Sequence, residues 1–125
     1  MATLASLATR FAEHERGAAN ILPPESVTAL AVAAVSYYAG FAELTHLADG
    51  AEIDDTLDVT VSEWAEIRPL FVLYVERENA LQLEATGILS AGGGFGRSSS
   101  EVGGEIAQME AELPRRVFYH PVITI

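Results

Sequence analysis

Residues 60–87 read TVSEWAEIRPLFVLYVERENALQLEATG, and this stretch decides the fold. Its opening, TVSE, is a capping box. Thr60 can accept from the N–H of Glu63, and the Glu63 carboxylate can reach back to Thr60. Val59 and Trp64 hold the two staple positions around it. A helix is therefore predicted from here to about Thr86, with Gly87 as its C-terminal cap. Pro69 lies inside it. Proline removes the hydrogen bond to Ala65 and crowds that carbonyl, which predicts a kink or a break into two helices. Beyond it, Leu70, Leu73, Tyr74, Arg77, Leu81 and Glu84 share a side.

Upstream of this helix, TLDVTV alternates, with Leu57, Val59 and Val61 on one side. It reads as a short strand or an extended entry to the helix. The acidic loop DGAEIDDTLD precedes it. Further back, Pro23 and Pro24 introduce a helical pattern over roughly Glu25 to Ala48. Val27, Leu30, Ala31, Ala34, Tyr38, Phe41 and Leu44 run down one side. Val32, Val35, Ala39 and Ala42 form a second apolar face. A helix apolar around most of its circumference is buried on several sides. In so short a chain another subunit is expected to supply part of the cover, which makes Tyr38 and Phe41 candidate interface residues. At the start of the chain Leu4, Leu7, Ala8 and Phe11 give a short helix with a narrow apolar stripe, closed by Gly17.

Downstream, SAGGGFGRSSS reads as a flexible loop. Ser98 to Glu101 offers a second capping box, and Val102, Ile106, Met109 and Leu113 mark the core stripe of a last helix that Pro114 is expected to end. Gly103 and Gly104 weaken its first turn, or allow another backbone to approach closely. Val117 to Ile125 is strand-like, with Pro121 confining any strand to an edge. The fold class expected is mainly α: a small helical bundle with a short β segment and an extended strand-like C-terminal tail, in one domain over 1–125. The N-terminal helix takes 1–17 and the tail 117–125.

The chain has 125 residues, half of them hydrophobic, with 18 acidic residues against 7 basic ones and a formal net charge of −11. All the basic residues are arginine. Binding to nucleic acid needs a basic patch, and so does docking on an anionic membrane; neither is expected. No cysteine is present, which excludes disulfides and thiolate metal sites. The first residues lack the pattern of a signal peptide. The apolar run Ala29 to Ala42 is well short of the roughly 20 residues needed to span a bilayer.

The sequence offers little chemistry. His14, His46 and His120 are scattered. Asp49, Glu52, Asp54, Asp55 and Asp58 lack the EF-hand order and read as a solvated acidic loop. GGGFGRSS lacks the glycine interval and the lysine of a phosphate loop. No nucleophile signature occurs. No catalytic residue, cofactor or metal is expected, and the chain does not read as an enzyme. Arg77 shares a side with Leu73 and Tyr74, so it is either a partly buried ion-pair partner, within the subunit or across an interface, or an exposed charge.

The tail has more to say. An apolar extended segment can pair with its own TLDVTV strand, or join the sheet edge of a neighbour by β-augmentation. Val117, Phe118, Tyr119, Val122, Ile123 and Ile125 are the residues that would do this. Arg115 and Arg116 stand before them, placed to meet the acidic surface of a neighbour.

The order of parts, with SEWAEIRPLFVLYVERENALQLEA, a glycine-rich loop, SEVGGEIAQMEAELPRR and a strand-like tail, resembles the head–tail connector (adaptor, or neck) proteins of tailed bacteriophages. From Ser62 to Ile125 it is most similar to small virion structural proteins of Pseudomonas phages; elsewhere the similarity is in layout. The resemblance implies a structural protein of the virion neck, assembled in the host cytoplasm. It would form a ring with copies of itself, typically a dodecamer, beneath the portal protein. It would join the portal to a tail or collar protein and line the DNA ejection channel, through which genomic DNA passes without specific binding. The portal-binding role falls to Val117 through Ile125. Alternatives are another virion assembly component, such as a tail-completion or head-decoration protein, or a small helical binding module.

Overall fold

The computed structural model describes residues 2–15, 22–47, 51–85 and 99–119. Within them the chain is mainly helical. Strand β1 (Ala2–Thr3) is followed by α1 (Leu4–Arg10), a π-helical turn (Phe11–Glu15), α2 (Pro24–Ala39), strand β2 (Asp58–Val59), α3 (Val61–Ala85) and α4 (Ser99–Tyr119). α3 is the centre of the bundle: α2 packs on one side of it and α4 on another, while α1 lies on α2. Among the described residues no helix is long and apolar enough to cross a membrane.

The capping box forms as its residue types demand. The Glu63 N–H donates to the Thr60 hydroxyl at 3.2 Å, and the Thr60 N–H donates to the Glu63 carboxylate at 2.9 Å. From this start α3 runs as one helix through Pro69, not as two. A proline in a helix interior costs about 3 kcal/mol. Ile67, Leu70 and Phe71, all fully buried on either side of it, hold the helix together across the missing bond. The core face follows Ile67, Leu70, Phe71, Tyr74 and Val75 and ends at Ala80 and Leu83. Leu81, expected on the packed side, is 45% exposed instead.

The strand is shorter than the alternation of TLDVTV suggested. Leu57 and Val59 are buried, but Val61 already belongs to α3 and is 81% exposed. The partner of β2 is β1 at the other end of the chain. The two run antiparallel, with Ala2 opposite Val59 and Thr3 opposite Asp58. The Leu4 and Ala5 N–H groups continue the contact to the Leu57 and Asp55 carbonyls at 3.0 and 2.9 Å. Thr3 then caps α1, its hydroxyl accepting from the Ser6 N–H.

The apolar circumference of α2 is covered largely by its own chain. Val27, Ala31, Ala34, Val35 and Tyr38 are buried, and Leu30, Val32, Tyr37 and Ala39 are half-buried against the same core. α1 and α3 supply this cover, so the apolar second face does not by itself call for a neighbour. Among the described residues Val61 and Leu81 are the exposed large hydrophobics.

Two expectations about the last helix change. α4 does not stop at Pro114; it continues as helix to Tyr119, so the first part of the expected strand-like tail is helical backbone. Residues 120–125 and the glycine-rich loop lie outside the described residues, as do Gly17, Gly87 and Ser98. The N-terminus of α4 is held from another helix. The Ser99 N–H and hydroxyl both donate to the Glu84 carboxylate on α3, each at 2.8 Å, and this holds that carboxyl below its ordinary range. A Cβ added at Gly103 or Gly104 would meet no atom within 4 Å beyond its own helix, so no described backbone approaches there.

Candidate assembly surface

The continuity of α4 has a specific cause. Pro114 has no N–H, so the carbonyl four residues earlier, on Glu110, loses its helical partner. The Tyr37 hydroxyl, from α2, donates to that carbonyl at 2.7 Å. The side chain of the same Glu110 accepts from the Tyr74 hydroxyl on α3 at 2.6 Å. One residue of α4 is thus tied to both other long helices at the point where a proline would otherwise end it.

Burial pushes the Tyr74 hydroxyl well above its ordinary range, and the neighbouring Glu110 carboxylate adds to this, while Arg77 works against it. Tyr38 is pushed up to about 12, first by burial and then by Glu66, whose carboxylate its hydroxyl faces at 3.4 Å. Both folded values exceed the unfolded value near 10. The stability these phenols contribute is therefore intact below pH 10 and is lost as pH rises through the folded values. Thermal unfolding followed from pH 9 upward is expected to show a falling midpoint beyond about pH 10, less steep in Tyr74→Phe.

Tyr37→Phe should cost about 1 kcal/mol, because it leaves a partly buried carbonyl without its donor. Pro114→Ala restores the missing N–H, so most of that loss is expected to vanish in the double variant. Urea unfolding of the four-member cycle measures the coupling.

Arg77 makes no ion pair among the described residues. Its guanidinium lies over the Tyr74 ring, 5.5 Å from the centroid. This stacking, not a carboxylate partner, explains why an arginine is half-buried there. Tyr38 is a core residue of this chain, and Phe41 is half-buried with its ring edge-on to Tyr37 and Tyr38, at 5.5 and 5.6 Å. Arg115 is exposed, and Arg116, Val117, Phe118 and Tyr119 belong to the helical backbone of α4. Val122, Ile123 and Ile125 lie outside the described residues.

Beside this junction α3 and α4 leave an open groove of about 500 Å³. Pro69, Val72, Leu73 and Met109 make it apolar; Glu76, Glu105 and Glu112 make it acidic. Gln108 bridges to Glu112 at 3.2 Å along the α4 wall, and Arg68, at the edge, is paired with Glu15. The pattern of α3 alone could not show this groove, since its two walls are far apart in the chain.

Elsewhere Arg10 and Arg68 converge on the Glu15 carboxylate in a partly exposed ion-pair cluster. His14 is exposed beside Glu13, and His46 is exposed on the turn after α2; His120 lies outside the described residues. Asp54 accepts from the Thr56 hydroxyl and N–H, which holds it below the usual carboxylate range and closes a local turn. Among the described residues no group of histidines and carboxylates could hold a metal ion. The chain matches no family model, no curated protein and no solved structure.

Proposed function

We propose that the chain is a structural subunit of the head-to-tail connector ring of a tailed bacteriophage. It would dock beneath the portal through its C-terminal segment and join it to a tail or collar protein. The observation that carries this reading is the course of α4. Leu113 is the last buried side chain described on it, yet the helix continues past Pro114 to Tyr119, held by Tyr37 and Tyr74. The sequence that follows, HPVITI, is rich in β-branched residues of the type that joins the edge of another sheet. A supported helix carrying such a segment suits a subunit that reaches into a partner.

The net charge of −11 supports the second half of the proposal. Exposed carboxylates occur on α2, on the loop before β2, and on α3 and α4. A ring with such walls repels phosphate and lets DNA slide through without sticking.

The test is co-sedimentation with portal rings encoded by the same genome. The full chain is expected to pellet with the portal. A variant ending at Arg116, lacking Val117 to Ile125, is expected to lose at least about a hundredfold in affinity while keeping nearly all its helical circular dichroism. A truncated chain that still docks would remove the C-terminal segment from the proposal; a full chain that ignores the portal would remove the adaptor reading itself.

A further inference from the structure

We propose that Leu81, with Arg77 one turn before it on α3, is the seat for a partner protein's helix that carries a large apolar side chain one turn from a carboxylate. The neck reading above, with two different neighbours for the chain, supplies the partner's identity, on which this assignment rests: the tail or collar protein.

The face is open for a physical reason. α3 and α4 run antiparallel and are tied at two levels, where Ser99 donates to Glu84 and where Tyr74 donates to Glu110. Leu81 lies seven residues beyond Tyr74, and Gly103 seven before Glu110. Seven residues are two turns of helix to within about 20°. Leu81 and Gly103 therefore fall at one level between the ties, on the faces that meet at Tyr74 and Glu110. The residue opposite the leucine has no side chain, and Leu81 is left exposed. Glycine weakens a helix relative to alanine. Nothing described in the chain demands it here. A Cβ at Gly103 or Gly104 would meet no atom within 4 Å beyond its own helix, and neither glycine takes a positive φ. The pair leaves the α4 backbone bare to close approach from outside.

Charge selects the occupant. Arg10 and Arg68 share the Glu15 carboxylate, but Arg77 stacks half-buried on the Tyr74 ring with no carboxylate partner among the described residues. A guanidinium held flat in this way presents its planar fork to a carboxylate, which it binds bidentately. Arg77 and Leu81 are four residues apart, and side chains four apart on another helix match that spacing. One partner helix can thus cover the leucine and pair the arginine together. Gly103 is about 24 Å along α4 from Tyr119, at 1.5 Å per residue. The surface therefore lies away from the segment that would meet the portal, and it suits the second neighbour.

In the test, the tail and collar proteins encoded by the same genome are each titrated against the labelled full chain. One of them is expected to bind. Gly103→Leu, which fills the space beside Leu81, should keep or raise the urea midpoint and yet weaken binding at least about tenfold. At position 77 affinity should fall in the order Arg, Lys, Gln, Glu, with about tenfold lost from Arg to Gln. Circular dichroism confirms that each variant folds. A folded Gly103→Leu that binds like the wild type overturns the assignment, as does an affinity indifferent to charge at position 77, or no binding by either protein. So does a Leu81→Ser whose urea midpoint falls as far as that of Phe71→Ala, since the chain's own residues would then cover the leucine. A chain that docks on the portal but fails these tests loses this inference alone; one that passes them but ignores the portal keeps this surface and loses the adaptor reading.

Discussion

Phe71→Ala is expected to lower the unfolding free energy by about 4 kcal/mol, the upper range for a large core truncation. Phe71 is fully buried at the centre of α3. The Phe11 ring meets it edge-on at 5.0 Å, and Trp64 lies against it at 5.3 Å. It is where the first helical segment and the central helix meet. Removing the ring forfeits its transfer free energy and leaves a void that neither Phe11 nor Trp64 can fill without leaving its own contacts. In a chain of this size the thermal midpoint should fall by roughly 15 °C. Leu81→Ala on the same helix serves as the comparison. Leu81 is 45% exposed, and its truncation should cost no more than about 0.5 kcal/mol. Equal losses for the two variants in urea unfolding would contradict the packing described.

The second large effect belongs to Glu63. It is 7% exposed, and its carboxylate is shared between two segments. One oxygen accepts from the Thr60 N–H; the other accepts from the Thr45 N–H and hydroxyl at 2.8 and 3.1 Å. The residue that caps α3 therefore also anchors the turn that follows α2. Glu63→Ala is expected to cost about 3 kcal/mol, from the lost cap and from donors left facing no acceptor. Burial alone would raise this carboxyl, but the hydrogen bonds from Thr60 and Thr45 outweigh it and hold the group below its ordinary value of 4.5. A depressed carboxyl contributes fully above the unfolded pKa, and that contribution is lost as pH falls through the lower folded value. The gap in stability between the wild-type chain and Glu63→Ala should thus be widest near neutrality and narrow below about pH 4.5. A gap that stays constant down to pH 3 would show that the charge plays no part.

These two residues also show what could be read before the fold was known. The capping role of Glu63 was legible because Thr60 and Glu63 are three residues apart, so residue type alone dictates the bond. Its bond to Thr45 was not, since 18 residues intervene. Local physics predicts a kink or a break at Pro69 and an end at Pro114. What overrides them is tertiary: buried neighbours around Pro69, and a tyrosine 73 residues from the carbonyl that Pro114 leaves open. The pairing of β1 with β2 was out of reach, because two residues carry no period. The apolar circumference of α2 correctly signalled burial on several sides, but no pattern within a helix says whose side chains provide it. The groove between α3 and α4 was not legible: Glu105 and Glu112 stand in one stretch and Glu76 in another, and only the packing of α4 on α3 sets them beside the apolar floor.

The Tyr37 hydroxyl that replaces a missing amide has a mechanical consequence. Sliding α4 along α3, even by a single residue, would separate that hydroxyl from the carbonyl that Pro114 leaves open, so the bond keys the helix in register. A pull on its far end would then be transmitted to α2 and α3 together, at a point well inside the bundle. The proline that ought to have weakened the rod marks the place where it is bolted down.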